Sequence, residues 1–432
     1  MKELRYPPNV HWEVTPACNH NCIHCYNYWR KSNEVSLRNS LSIDEYLCFA
    51  TALINLKVNA VTITGGEPFI VWPLIRPAIE KLIENHISVS INTNITLLTK
   101  EITNFIKEHS IGLFISFPCS NEEVCDFITN TSGSLHNILK NLDYLSQEKI
   151  HFQLNIVASK INLDYIDSTV KFLRERYYIN KIFITRVGKP INSDNSFNKY
   201  LLQRQDINLL QEISVKIHKK YNVMVDTGCP YTPCSIISQD AFDLFGYRKF
   251  CTAGKTSYAV DFSGNVKACP RDNNIYGNLF KEDFQYIWKQ MEIWRDDSIL
   301  PVECKSCTEK EFCFGGCRVD SFPFTGKLDS LDSIANPQNL PIRFSKRPQP
   351  DFSFEENDIF IVLSGFRAIK EQFGYRISNY GRYVFVTNEF YDYLSSHDSF
   401  TLKSFMEYFN VNYNTACNVI NKLLVNRVIN KK

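Results

Sequence analysis

The residues best suited to chemistry are three cysteines near the start of the chain, Cys18, Cys22 and Cys25, separated by three and then two residues, with His20 and His24 between them. A loop this short wraps three thiolates around one face of a four-iron cubane and leaves the fourth iron without a protein ligand, an open position for chemistry. A zinc site completed by His20 or His24 is the alternative the triplet leaves open. A second set lies far downstream. Cys251 is followed after twelve residues by Gly264 and after four more by Cys269; then come Cys304, Cys307, Cys313 and Cys317, with two, five and three residues between them. Burial as small apolar side chains, the usual fate of free cysteines, explains such intervals poorly. Fifteen cysteines in 432 residues are too few for a disulfide scaffold, and a reducing compartment would keep them as thiols for metal or catalysis.

Elements that position these groups are legible around them. Between residues 10 and 190, short apolar runs alternate with longer segments of helical spacing. The runs His11–Val14, Ala60–Thr64, Ser88–Asn92, Gly112–Phe117, Phe152–Ala158 and Lys181–Thr185 read as buried parallel strands. Ser42 and Glu45 form a capping pair ahead of the apolar series Leu47, Phe49, Leu53 and Leu56. Six β-α units predict an α/β fold, a partial (β/α)6 TIM-like barrel with reactive groups at the carboxyl ends of its strands. The triplet follows the first strand. The second strand ends in Thr64-Gly65-Gly66-Glu67-Pro68, where paired glycines let a ligand approach the backbone and the carboxylate can accept from an amino group. Asn92, Asn94, Ser116, Asn155 and Arg186 stand at other strand ends, and Cys119 just past the fourth, in reach of the barrel mouth.

Asn198 to Lys220 reads as one further helix. From there to about residue 340 the pattern turns to cysteines, turns and short aromatic segments, too poor in apolar periodicity for a conventional core, so that metal is expected to replace one. A Pro-rich linker precedes a last unit with strands at Ile359–Ser364, Tyr375–Ser378 and Tyr383–Thr387 and helices at Glu389–Ser396, Leu402–Phe409 and Asn414–Val425, an α+β unit of winged-helix type. The expected domains are 1–220, 221–340, a linker over 341–352, and 353–432.

The triplet together with Gly65-Gly66-Glu67 resembles the radical S-adenosylmethionine enzymes. The resemblance implies a 4Fe-4S cluster on Cys18, Cys22 and Cys25, with S-adenosylmethionine chelating its open iron. His24 would lie near the adenine and Gly65, Gly66 and Glu67 against the methionine moiety, while Asn94, Ser116, Asn155 and Arg186 remain candidates for cofactor or substrate contact. A 5'-deoxyadenosyl radical would then remove hydrogen from substrate, the protein's part being positioning and exclusion of water. The downstream cysteines resemble the SPASM extension, whose members carry up to two auxiliary 4Fe-4S clusters. By that resemblance Cys251, Cys269 and Cys317 belong to the first and Cys304, Cys307 and Cys313 to the second. The family's final cysteine is missing, for the corresponding segment reads Asn336-Pro337-Gln338-Asn339, and Cys417 is too far away. Asp320, Asp329, Asp332, solvent or substrate is the expected substitute on the second cluster, or that cluster is absent. The fourth ligand of the first is expected from Cys234, or else Cys229.

The last unit resembles the peptide chaperone of pyrroloquinoline quinone biosynthesis, which implies a precursor peptide as partner, its leader added as a strand to a sheet edge. Nine basic residues between Glu355 and Lys432 are balanced by nine acidic ones when Asp351 is included. No nucleic-acid partner is therefore expected. Over the whole chain Lys plus Arg is 48 and Asp plus Glu 46. With no long apolar run and no secretory signal, a cytoplasmic protein without membrane contact is expected. The combined reading is a peptide-modifying enzyme acting on a ribosomally made precursor, forming a carbon-carbon, carbon-oxygen or thioether crosslink, with flavodoxin or ferredoxin as electron donor. The alternatives are epimerisation with Cys119 as hydrogen donor, an anaerobic sulfatase-type maturase, and a non-catalytic iron-sulfur regulator.

Overall fold

A computed structural model describes residues 4–27, 41–190, 193–339, 353–379 and 381–432. The six apolar runs form parallel strands, each within two residues of its expected bounds: β1 (Asn9–Glu13), β2 (Ala60–Thr64), β3 (Ser88–Thr93), β4 (Gly112–Ser116), β5 (Phe152–Ala158) and β6 (Lys181–Arg186). The sheet continues past them. β7 (Met224–Asp226) pairs with β6, and β8 (Ser257–Val260) lies parallel to β1 on its other side, giving the order β8-β1-β2-β3-β4-β5-β6-β7. β9 (Asn265–Lys267) and β10 (Gly277–Asn278) extend that edge antiparallel. A single sheet therefore runs across residue 220.

Helices α1 (Ile43–Asn55), α2 (Trp72–Glu84), α3 (Lys100–Glu108), α4 (Glu122–Thr129), α5 (Ser134–Gln147), α6 (Ile166–Tyr177) and α7 (Arg204–Tyr221) follow the strands. At the start of α1 the Ser42 hydroxyl accepts from the Glu45 amide and the Glu45 carboxylate from the Ser42 amide, satisfying two donors that have no partner within the helix. The buried face of α1, with Tyr46, Phe49, Ala50 and Leu53, packs on β1, where the fully buried Trp12 stacks on Phe49 at 5.2 Å. The Tyr46 hydroxyl donates to the Val14 carbonyl at 3.0 Å and so fixes the chain just before the cysteine loop. The helix expected from Asn198 begins only at Arg204, because Asp194 caps a separate turn over Asn195–Tyr200 instead.

The cysteine-rich middle departs from expectation. Helical segments Gln239–Phe245 and Phe284–Gln290 bury Phe242, Leu244, Phe245, Ile287 and Trp288 in one cluster with the barrel core. Its apolar residues are clustered within elements of only seven residues, about two turns each, too short to leave a periodic signal.

The last unit has its own core around Phe360, Phe400, Phe405, Ile420 and Leu423. It contains β11 (Ile359–Val362), β12 (Arg367–Glu371), β13 (Gly374–Asn379), β14 (Arg382–Val386), β15 (Ser399–Thr401) and β16 (Ile429–Lys431), in two three-stranded sheets ordered β15-β11-β16 and β12-β13-β14. The expected linker, 341–352, lies outside the described residues. The second sheet docks on the end of the barrel where strands begin. Arg376, wholly buried, donates to the carbonyls of Tyr6 and Lys57 and pairs with Glu371, while Arg367 donates to the Val58 carbonyl at 2.6 Å. Among the described residues no helix is long and apolar enough to cross a membrane.

Candidate active site

After β1 the chain carries the three cysteines across the carboxyl ends of its neighbours, held mostly by backbone. Val14 N donates to Thr64 O at 2.9 Å, Gly66 N to Thr15 O at 2.7 Å and Glu67 N to Ala17 O at 2.7 Å, so the β1–β2 ladder continues into the loop. Further along, Asn21 N and Ile23 N donate to carbonyls at the end of α4, and Asn27 Nδ2 donates to Gly65 O at 2.6 Å. These contacts explain the paired glycines. A Cβ on Gly66 would lie 1.8 Å from the Ala17 carbonyl oxygen, and one on Gly65, whose φ is +129°, 2.6 Å from that of Thr15. The glycines admit the cysteine loop itself, which is a different reason from ligand access.

Glu67 is almost fully buried. Its carboxylate accepts from Phe69 N at 3.2 Å, Thr93 Oγ1 at 2.7 Å and Asn94 N at 2.8 Å, and burial outweighs these donors to push its pKa up to about 7. It ties the loop after β2 to the end of β3 and is committed to protein donors before any ligand amine arrives. Asn94 then reaches the cysteine loop, donating to Asn19 Oδ1 at 2.9 Å and lying 3.9 Å from Cys18 Sγ.

Cys18, Cys22 and Cys25 line a cavity of about 460 Å³. His24, Gly65, Gly66, Glu67, Asn94, Ser116, Asn155 and Arg186 all contribute to its wall, which brings together every residue expected to contact the cofactor. Burial holds the His24 imidazole neutral, with a pKa lowered to about 4. Asn155 accepts from Thr185 Oγ1 at 2.7 Å. Arg186, in the cavity wall, also engages Asp320 at 3.1 Å and Asp332 at 2.8 Å through its two Nη atoms. Cys119 is turned away from the cavity. It is 1% exposed, lies beside Thr169 Oγ1 at 3.7 Å and accepts from Asn121 N at 3.4 Å, so it is badly placed to donate hydrogen to a substrate radical. Cys48, on α1, is exposed.

Four more thiols line the same cavity: Cys229, Cys251, Cys269 and Cys317. The Arg271 guanidinium lies 3.6 Å from Cys229 Sγ and 3.9 Å from Cys317 Sγ. Hydrogen bonding with Cys317, then the charges of Arg271 and Arg186, pull the Cys229 thiol down to about 5, while burial pushes Cys251 and Cys269 up. Asp332, held by Arg186, accepts from the Cys317 amide at 2.7 Å. Arg186 and the two aspartates therefore brace this wall. Nothing in the spacing of Arg271, Asp320 or Asp332 marks that role.

Cys304, Cys307 and Cys313 lie elsewhere, around a second, narrow cavity, and Cys234 is with them. Of the two thiols expected as candidates for the first group, Cys229 lines the cavity with Cys251, Cys269 and Cys317, and Cys234 does not. Burial, followed by the charges of neighbouring groups that include Cys234, raises Cys304 to about 11 and Cys313 to about 12. Among the described residues no three ligating side chains converge closely enough for a single metal ion. Thiols spread around a wall suit a larger, multi-iron body, and all fifteen cysteines are free of disulfides.

Residues 12–173 match the family model described as the Radical SAM superfamily, and residues 251–308 match that of an iron-sulfur cluster-binding domain, SPASM. An AdoMet-dependent heme synthase of Methanosarcina barkeri is 26% identical over 343 residues, 74% of this chain and 93% of that protein. The mycofactocin maturase MftC of Mycobacterium tuberculosis is 28% identical over 378 residues, 81% of this chain and 89% of that protein. Among solved structures, Streptococcus suis SuiB bound to precursor peptide SuiA superposes with a TM-score of 0.57 at 18% identity, over 77% of this chain and 76% of that one. A structure of anSMEcpe with bound AdoMet and the Cp18Cys peptide gives 0.59 at 15% identity, over 76% and 93%. At these identities the structural likeness establishes the fold.

Proposed function

The chain is a radical S-adenosylmethionine enzyme with a SPASM extension, using a 4Fe-4S cluster, auxiliary iron-sulfur clusters and S-adenosylmethionine, and on that footing we propose that it forms an oxidative crosslink in a ribosomally made precursor peptide. One observation carries the reading. A single cavity is lined both by the triplet Cys18, Cys22 and Cys25 and by Cys229, Cys251, Cys269 and Cys317, so a substrate inside it lies near both thiol sets. Cys18, Cys22 and Cys25 would hold the cluster that, with S-adenosylmethionine, would supply the radical for hydrogen removal, and Cys229, Cys251, Cys269 and Cys317 would hold an auxiliary cluster able to accept the second electron.

The chain's own residues hold and enclose. The Gly65-Gly66 backbone fixes the cysteine loop, Asn94 and His24 shape the cofactor site, and the buried Arg186 pair braces the cavity wall. A peptide substrate is supported by the SuiB and anSMEcpe structures, both solved with peptides, and by the last unit, whose edge strand β14 presents Tyr383 and Phe385. A leader segment would add there as a further strand. A small electron-transfer protein, flavodoxin or ferredoxin, would deliver the first electron. Epimerisation has less support, because the seven cysteines lining the cavity all belong to the two thiol sets and Cys119 is outside it. A tetrapyrrole substrate is the second reading, favoured by the heme synthase relative.

The test is anaerobic incubation of the reconstituted full chain with reductant, S-adenosylmethionine and a candidate precursor. Expected are 5'-deoxyadenosine and a peptide lighter by two hydrogens. A peptide of unchanged mass in ordinary water that gains one deuterium when the reaction is run in heavy water would favour epimerisation. Peptide-independent turnover of a tetrapyrrole carboxylate would favour the second reading.

A further inference from the structure

The segment where a last SPASM cysteine is expected ends in Asn336-Pro337-Gln338-Asn339, which leaves Cys304, Cys307 and Cys313 one thiolate short. We propose that Cys234, more than a hundred residues earlier in the chain, supplies that ligand, so that Cys234, Cys304, Cys307 and Cys313 together hold the second auxiliary cluster. The inference rests on the reading of residues 251–308 as an iron-sulfur domain and adds to it a ligand from outside those residues.

Four observations converge. All four cysteines line one narrow cavity, and each is a free thiol despite facing the others. The turn Pro233–Ser235, closed by Ser235 N donating to Thr232 O at 2.9 Å, presents Cys234 to that cavity, while Cys229, five residues earlier, lines the central one. The cysteine-less segment folds onto this sulfur, with Asn336 N donating to Cys234 Sγ at 3.3 Å, so Cys234 stands where that segment's own thiol would have been delivered. The aspartates expected as substitutes do not line this cavity: Asp320 and Asp332 are paired with Arg186 and Asp329 is exposed; of the two carboxylates that do line it, Glu309 accepts from the Tyr247 hydroxyl and Glu303 is exposed to solvent.

The experiment starts from the full chain with Cys18, Cys22 and Cys25 all replaced by alanine, which isolates the auxiliary sites. After anaerobic reconstitution this background should hold about eight irons. Adding Cys234→Ala should either lower that to about four or keep the iron with a changed electron paramagnetic resonance spectrum that shifts again when 2-mercaptoethanol is added as an external thiolate. Cys234→Ser, a smaller disturbance to folding, should alter the same signal, and Cys48→Ala should alter nothing. If iron content and spectrum are unchanged in both Cys234 variants, the proposal is wrong while the iron-sulfur reading stands. If the background binds no iron, both fail.

Discussion

Replacing Gly66 by alanine should unseat the cysteine loop in the metal-free protein. The added Cβ would meet a backbone oxygen, that of Ala17, at 1.8 Å, so neither partner can rotate away and the loop must lift. Overpacking of that kind costs about 1–3 kcal/mol. Lifting the loop also weakens two backbone bonds, Gly66 N to Thr15 O and Glu67 N to Ala17 O, each contributing about 1 kcal/mol. The sum is about 3–5 kcal/mol, a fall in melting temperature of about 3–6 °C for a chain of this length. Gly133→Ala is the matched control. Gly133 also has a positive φ, +68°, but nothing lies within 4 Å of its Cβ position, so it should lose only about 1 kcal/mol to left-handed strain. Scanning calorimetry of both variants without iron, followed by iron analysis after reconstitution, separates the two explanations of the glycine pair. If Gly66→Ala melts like the unaltered protein and loses only affinity for S-adenosylmethionine, the glycine serves the ligand and the loop-packing argument is refuted.

Arg186→Met should destabilise the chain by about 3–5 kcal/mol, because it leaves Asp332 buried without a counter-charge and Asp320 with Arg271 alone, at 3.6 Å; Arg186→Lys, with a single ammonium for two carboxylates, should recover only part of this. Urea unfolding reads both, and a lysine variant equal to the unaltered protein would defeat the argument. His11 is held at about 4 against an ordinary 6.5, by burial first and the Lys249 charge second. Between those values the unfolded chain binds the extra proton, so acid favours unfolding, and stability should fall as pH drops from about 6.5 towards 4, with a slope of up to about 1.4 kcal/mol per pH unit for this imidazole. His11→Gln should flatten the curve over that window. Finally, the last unit docks where strands begin and the triplet lies where they end. Strands of five to seven residues rise about 3.3 Å per residue, so with loops a tethered peptide must span roughly 30 Å, at least about ten extended residues. Shortening the spacer below that should abolish turnover while leader affinity, measured by titration, is kept.

Local signals were legible and remote ones were not. The six barrel strands are short, nearly continuous apolar runs, each closed by turn residues, and the Ser42–Glu45 cap is read from residues three apart. β8 has only four residues and exists because it pairs with β1 across about 250 positions, a partnership no window of sequence contains. The triplet's spacing was enough to bring three thiols to one wall. The division of Cys229 and Cys234 was not readable, since both follow the same turn-rich stretch and only the fold turns one inward and the other away. A strand-end arginine such as Arg186 reads as a ligand contact, and its two buried aspartate partners come from far downstream, beyond any window of sequence around it.

That same division shows how the two thiol groups behind the triplet are tied together. The stretch from Cys229 to Cys234 gives one thiol to each cavity, and the stretch from Cys304 to Cys317 gives three to one and its last to the other. Two covalent crossings therefore join the sites. Between them runs the buried set of Arg271, Asp320, Arg186 and Asp332, whose charges face Cys229 and Cys317 directly. Displacing either stretch must strain both cavities, so loss of metal at one site should loosen the other even though they share no cysteine. A barrel whose strands end at the first cavity then feels the second only through this bracing, and Arg186, on the last residue of β6, is where the barrel takes hold of it.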